Sequence, residues 1–230
     1  GFTGLGRVLL SLSHALVLLL PLLALTATGQ VINRAQDDGT LELLCSHPMT
    51  REEYFLSVTA VRYGVLLAPL ALLVLAVAVL GRALLGSEVP WGYLARSLGV
   101  SAALLWAFTG LGLLVSTRVR NQAKAVMAVL ALWVTAVALL DFALIGLMLQ
   151  WRLHAKSVFL LASLNPVESA RLALLSGAEP SLAALGPVGF YLAHRLGAGW
   201  LLVAGVVWPA ALGTVAWMAA LRRFRKEDLV

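Results

Sequence analysis

The run VLLSLSHALVLLLPLLALTATGQVI, residues 8–32, contains no Asp, Glu, Lys or Arg, and this decides the chain's solvent. As a helix rising 1.5 Å per residue it would reach about 37 Å, enough to cross a ~30 Å hydrocarbon core. Comparable runs recur at about 55–80, 93–116, 125–149 and 197–221, each with at most one of those charged residues. Lipid offers no hydrogen bonds to an open backbone, so such runs cross as helices that satisfy their own peptide groups. The fold class that follows is an all-α polytopic membrane protein with a single transmembrane domain over 1–230. Apolar residues make up 61% of the chain, against roughly 45–50% in soluble domains.

The formal charge of +6 reflects topology and does not point to nucleic acid. Arg118, Arg120 and Lys124 crowd one short loop, and Arg222, Arg223, Arg225 and Lys226 close the last span. Dense basic clusters of this kind mark the cytoplasmic side, so the C-terminus of this multi-pass protein is expected there. Five spans then leave Gly1 outside. With no signal-peptide pattern in the sequence, a sixth span is expected upstream of residue 1.

The one long hydrophilic stretch between early spans is DDGTLELLCSHPMTREE, residues 37–53. Its acidic residues Asp37, Asp38, Glu42, Glu52 and Glu53 require water. Leu41, Leu44 and Cys45 are spaced i, i+3, i+4, so a short helix here has one apolar face. Thr40 is placed to cap it, Gly39 loosens its approach, and Pro48 after His47 stops it. Such a helix slung between spans is shaped to be gripped by a soluble partner.

Residues 151–195 make no clean crossing, being broken by Arg152, Lys156, Asn165, Glu168, Arg171, Glu179 and three prolines. Within them LNPVESARLALLSG carries a strong helix start, with Asn165 as N-cap, Pro166 at the first position and Gly177 just past the end. A helix from Pro166 to Ser176 spans about half a bilayer, so the segment is expected to lie at the outer interface or dip into it.

No G-x-x-x-x-G-K-[ST] phosphate loop occurs, so ATP and its Mg are expected on another chain. No H-E-x-x-H or G-x-S-x-G occurs either, and no catalytic residue is assigned. The spacings of Cys45, His47, His154 and His194 match no metal-ligand pattern. Asp141, deep in the fourth apolar run, must face the bundle, since a carboxylate in lipid is costly. His14 and Arg96 fall at compatible heights. The three form either a buried ion-pair set that fixes packing or part of a translocation path.

The phrase D-G-T-L-E-L-L-x-S-H-P between two spans resembles the coupling segment of ABC-2 type transporter permeases. Together with A-L-L-D-F-A-L-I-G-L-M, L-N-P-V-E-S-A-R-L-A-L-L-S-G and the terminal R-R-F-R-K-E-D, it is similar to the NosY-type permeases, the membrane subunits that serve nitrous-oxide reductase maturation. The resemblance covers most of the chain and departs from the family wording at Glu42 and Cys45. It implies a type V exporter-like bundle of six spans, a homodimer, a NosF-like ATPase below, a NosD-like periplasmic protein above, and export of a sulfur-containing species. It also implies that Asp38, Gly39, Thr40, Leu41, Glu42, Leu44, Cys45, His47 and Pro48 meet the ATPase, and that Asn165, Pro166, Glu168 and Arg171 build an extracytoplasmic gate. Two rival expectations are an exporter of lipid, glycan or drug-like cargo and a scaffold that relays ATPase strokes without conducting.

Overall fold

The computed structural model describes residues 4–39, 50–86, 89–139, 142, 146, 163–178 and 197–226. Among them there are only helices: α1 (Gly4–Thr28), α2 (Val31–Asp37), α3 (Arg51–Leu85), α4 (Trp91–Arg118), α5 (Gln122–Val134) continued by a π-helical turn (Thr135–Leu139), α6 (Pro166–Ala178) and α7 (Gly197–Lys226). Among the described residues, five stretches are long and apolar enough to span a membrane: His14–Asp37, Arg51–Leu84, Trp91–Arg118, Gln122–Leu139 and Gly197–Lys226. They match the five apolar runs of the sequence.

Boundaries shift where caps and kinks override hydropathy. The first span does not stop at residue 32: α1 ends at Thr28, and after Gly29 and Gln30 the chain re-enters helix as α2 up to Asp37. Helix α3 begins at Arg51, a turn before the apolar run. Thr50 accepts from the Glu53 backbone N–H at 3.2 Å while the Glu53 carboxylate accepts from the Thr50 backbone N–H at 2.8 Å. This reciprocal box satisfies two N–H groups that a helix start leaves open. At 35 residues, α3 is about 52 Å long, so it tilts or projects beyond the hydrocarbon. Gly86 ends it at φ 60°, a left-handed turn that glycine adopts without a Cβ penalty.

Helix α4 is the hub. Most of it is buried, from Leu94 through Phe108 to Thr117, with a partly open stripe at Ala95, Gly99, Ala102 and Trp106, as befits an apolar helix that its neighbours largely enclose. α1 and α7 run parallel to it and α3 antiparallel. In a membrane the solvent is as apolar as the side chains, so helices associate through close packing and polar contacts across small residues. A Cβ on Gly110 would stand 2.3 Å from the Gly213 carbonyl oxygen, and one on Gly213 would stand 2.6 Å from the Trp106 carbonyl oxygen. The α4 and α7 backbones therefore touch. A Cβ on Gly112 would meet Thr28 Oγ1 at 2.0 Å, which brings α1 equally near on another side.

Indole N–H groups lock these pairs from helix to helix, as donors in an apolar medium require. Trp106 donates to Thr214 Oγ1 at 3.0 Å, Trp217 to Thr59 Oγ1 at 3.1 Å, Trp133 to the Leu18 carbonyl at 3.2 Å and Trp208 to the Leu164 carbonyl at 3.1 Å. The lipid-facing surface is mostly α3 and α7, where Val65, Leu72, Trp200 and Val207 are exposed.

Candidate functional site

Two regions at opposite ends of the bundle gather the polar residues. One end, called here the loop end, carries Asp37, Arg51, Arg118, Gln122 and Lys226. The other, the far end, carries Trp91, Ala178 and Gly197.

At the loop end, α2 is pinned to the last turn of α4. The Ile32 backbone N–H donates to Ser116 Oγ at 2.8 Å, Ser116 Oγ donates to Asn33 Oδ1 at 3.0 Å, and Asn33 Nδ2 donates to the Val119 carbonyl. Asn33 is fully buried and Ser116 nearly so, so each polar group depends on the other for satisfaction. Beside this knot Gln122 Nε2 donates to Gln30 Oε1 at 3.1 Å, joining α5 to the break before α2. The apolar side of the same junction is Ile32, Phe55, Leu113, Ala220 and Phe224. Phe55 lies 5.4 Å from Phe224 and 5.9 Å from Trp217 between ring centroids, and Tyr54 stacks on Phe224 at 6.1 Å. Glu52 pairs with Arg225 across the surface.

The helices on either side of residues 40–49 are thus both fastened, α2 to α4 and the first turns of α3 to α7. Asp38, exposed, is the C-cap of α2, its backbone N–H donating to the Arg34 carbonyl at 2.9 Å, and Gly39 follows at φ 66°. Thr40, Leu41, Glu42, Leu44, Cys45, His47 and Pro48 lie outside the described residues, as does the Thr40 cap. Glu52 and Glu53 belong to α3, where the sequence pattern had left them in the loop.

At the far end, α6 is a half-length helix sunk among α1, α4 and α7, with Pro166, Val167, Ala170, Ala173 and Leu174 buried. Its apolar face is covered by those neighbours, so it dips into the bundle. A Cβ on Gly205 of α7 would stand 2.3 Å from Ala173 Cβ. The start of α6 is level with Trp208, whose indole reaches Leu164, about 16 Å along α7 from Gly197. Asn165 caps it, Oδ1 accepting from the Val167 N–H at 3.0 Å, and Nδ2 donates to the Ala136 carbonyl at 2.6 Å. Ala136 belongs to the π turn. A π turn disturbs the regular i to i−4 ladder, and Asn165 supplies its carbonyl with a donor.

The sequence had treated His14 and Arg96 as one set and the α6 residues as another. The structure joins them. Arg96 of α4 packs on Gly177, where a Cβ would stand 2.6 Å from Arg96 Cδ and Nη1. His14, Val17, Tyr93, Arg171, Leu174 and Ala178 line a small cleft, and Arg171 pairs with Glu168 at 2.5 Å. Asp141 lies outside the described residues.

The five membrane-length helices and the half-length helix sunk among them define, among the described residues, a polytopic membrane protein. The family profile for ABC-2 family transporter proteins matches residues 8–229. The chain is 31% identical over 224 residues to the "Probable ABC transporter permease protein NosY" of Stutzerimonas stutzeri, covering 95% of this chain and 78% of that one. It is 30% identical over 218 residues to the protein of the same description in Pseudomonas aeruginosa, covering 92% and 78%. The chain belongs to the ABC-2 family and is an ABC transporter permease subunit.

Sequence reasoning missed the Asn33–Ser116 knot. Both residues sit at the polar margins of apolar runs, where Asn and Ser ordinarily face water. The available signal was Gly29, a helix weakener placed just before them. The Thr50 box was legible as T-x-x-E and was overlooked because the acidic run was read as loop.

Proposed function

We propose that this chain is the membrane half of an ATP-driven exporter that supplies a sulfur-containing species for the copper centre of nitrous-oxide reductase. It works as a homodimer in a bacterial inner membrane, with its C-terminus cytoplasmic. A NosF-like ATPase, holding ATP and Mg, grips the segment 37–53, and a NosD-like periplasmic protein meets the outer gate. The supporting observation is the pinning of both flanks of that segment. A push on the segment loads α2 and the first turn of α3, and through Asn33 and Phe55 it reaches α4 and α7, the two parallel helices whose backbones touch. Tilting that pair shifts α6, which packs on both, and opens the cleft of His14, Tyr93 and Arg171, beside which Arg96 and Glu168 stand. Asp141 belongs to this path or pairs within it. ATP closure therefore becomes helix movement through a packed, two-state bundle.

The test is to purify the full-length protein from its native host with its partners and to assay each part. An ATPase and a periplasmic protein should co-purify, ATP hydrolysis should reside in the ATPase alone, and deletion of the gene should leave nitrous-oxide reductase without its sulfide-bearing copper centre. Hydrolysis by this chain alone would sink the reading. Full copper-centre assembly in the deletion strain would redirect it to lipid, glycan or drug-like cargo. An interior sealed in every nucleotide state would make the chain a non-conducting scaffold.

A further inference from the structure

At the loop end, the last turns of α4 and α7 enclose a groove of about 520 Å³ lined by Leu114, Arg118, Ala219, Arg222, Arg223 and Lys226. Arg223 is fixed in place, its Nε donating to the Thr117 carbonyl at 3.2 Å. Arg118, Arg222 and Lys226 are exposed. The four cations outnumber Glu227 and Asp228, the two carboxylates that follow in sequence.

A basic cluster at helix C-termini has an ordinary explanation, since it complements the helix dipoles and orients the chain. Two features exceed that. The groove is graded along the helix axes: Leu114 lies one turn before Arg118, and Ala219 one turn before Arg222 and Arg223, so the apolar lining is on the membrane side of the charges. The groove also continues the lipid-facing surface. Val215, Met218 and Arg222 follow at i, i+3 and i+7 on one stripe of α7, and Val215 and Met218 are exposed large apolar residues.

We propose that this groove binds an anionic phospholipid, with its phosphate among Arg118, Arg222, Arg223 and Lys226 and the top of an acyl chain over Leu114 and Ala219. Guanidinium groups pair with phosphate oxygens through two parallel N–H bonds, and a lysine adds a mobile charge. Basic pockets between spans on the cytoplasmic side suit such headgroups. An acidic face of a soluble partner would meet the charges but would have no use for the apolar lining beneath them. A bound lipid would brace α4 against α7 at the end where the 37–53 segment is anchored. The inference rests on the cytoplasmic placement given above.

The test is lipid retention by the full-length protein in nanodiscs made from equal parts phosphatidylglycerol and phosphatidylcholine, read by native mass spectrometry after detergent extraction. Wild type is expected to keep phosphatidylglycerol at least fivefold over phosphatidylcholine. The triple variant Arg118→Gln, Arg222→Gln, Lys226→Gln should lose that preference, whereas Arg34→Gln, Arg62→Gln, Arg82→Gln should keep it. If the triple variant does not fold, Arg222→Gln alone, at an exposed position, should weaken the preference about threefold. Equal retention of both lipids, or equal loss in the control triple, would overturn the proposal. So would competition by millimolar glycerol phosphate, which would mean that the headgroup alone binds. Loss of a co-purifying ATPase with phosphatidylglycerol retention unchanged would also overturn it, in favour of a protein contact. Retention is read without nucleotide or cargo, so its failure leaves the transport reading standing.

Discussion

Ser116 Oγ donates to Asn33 Oδ1 at 3.0 Å in a site closed to solvent, and this contact fastens the helix that leads into the acidic loop to the hub of the bundle. Removing one partner leaves the other buried and unpaired, a loss of roughly 1–3 kcal/mol, whereas replacing both with apolar groups is nearly neutral. Asn33→Ala and Ser116→Ala should each lower the thermal midpoint of the purified protein. The double variant Asn33→Leu, Ser116→Ala falls short of that neutral case, because it still strands the Ile32 backbone N–H and the Val119 carbonyl; it should be no more stable than the single variants and should transport poorly, because the latch is gone. Equal transport by the double variant and wild type would show that the knot is structural only.

Contact between α4 and α7 sets a second expectation. With Gly213's carbonyl 2.3 Å from where a Cβ on Gly110 would stand, no rotamer relieves the clash, since the obstacle is backbone. Gly110→Val should prevent the two helices from closing and should abolish recovery of monodisperse protein. Gly99→Ala on the same helix, where a Cβ meets nothing within 4 Å, should be recovered normally.

The number of spans was legible because transfer of apolar residues into lipid is a bulk property of composition. The placement of the α6 start was legible because Asn165 and Pro166 act locally through capping and a fixed φ. What hydropathy could not show is depth. By length the segment Pro166–Ala178 reads as lying at the interface or dipping into it, and Ala173 is small enough for it to sink beside Gly205 of α7. Likewise Arg96 meets Gly177 of the same half-helix because α4 and α6 are neighbours, a relation set by packing between residues far apart in sequence.

The Thr50 box concerns the far flank of the loop. Thr50→Ala removes the acceptor for the Glu53 N–H and costs roughly 1 kcal/mol, with a range of 0.5–2, whereas Thr50→Ser keeps it. The loss is local to the first turn of α3. Hydrogen exchange at residues 51–54 should therefore rise in the alanine variant and stay unchanged in the serine variant, with little effect on the transmembrane part. Faster exchange throughout α3 would contradict a cap confined to its end.

Asn165 performs two tasks that substitution can separate. Its Oδ1 caps α6 and its Nδ2 satisfies the Ala136 carbonyl in the π turn. Serine preserves a capping acceptor and is too short to bridge to Ala136, while alanine supplies neither. The difference in stability between Asn165→Ser and Asn165→Ala should be the cap alone, about 1 kcal/mol. Both variants should share a larger loss, because a carbonyl left without its donor inside the membrane costs several kcal/mol unless water enters or the π turn relaxes to an ordinary helix. If relaxation wins, the register of α5 beyond Thr135 rotates, and a cysteine introduced at Leu139, now exposed, should become protected from a membrane-permeant thiol reagent in both variants. Unchanged labelling together with unchanged stability would mean that the Asn165 amide holds nothing in place.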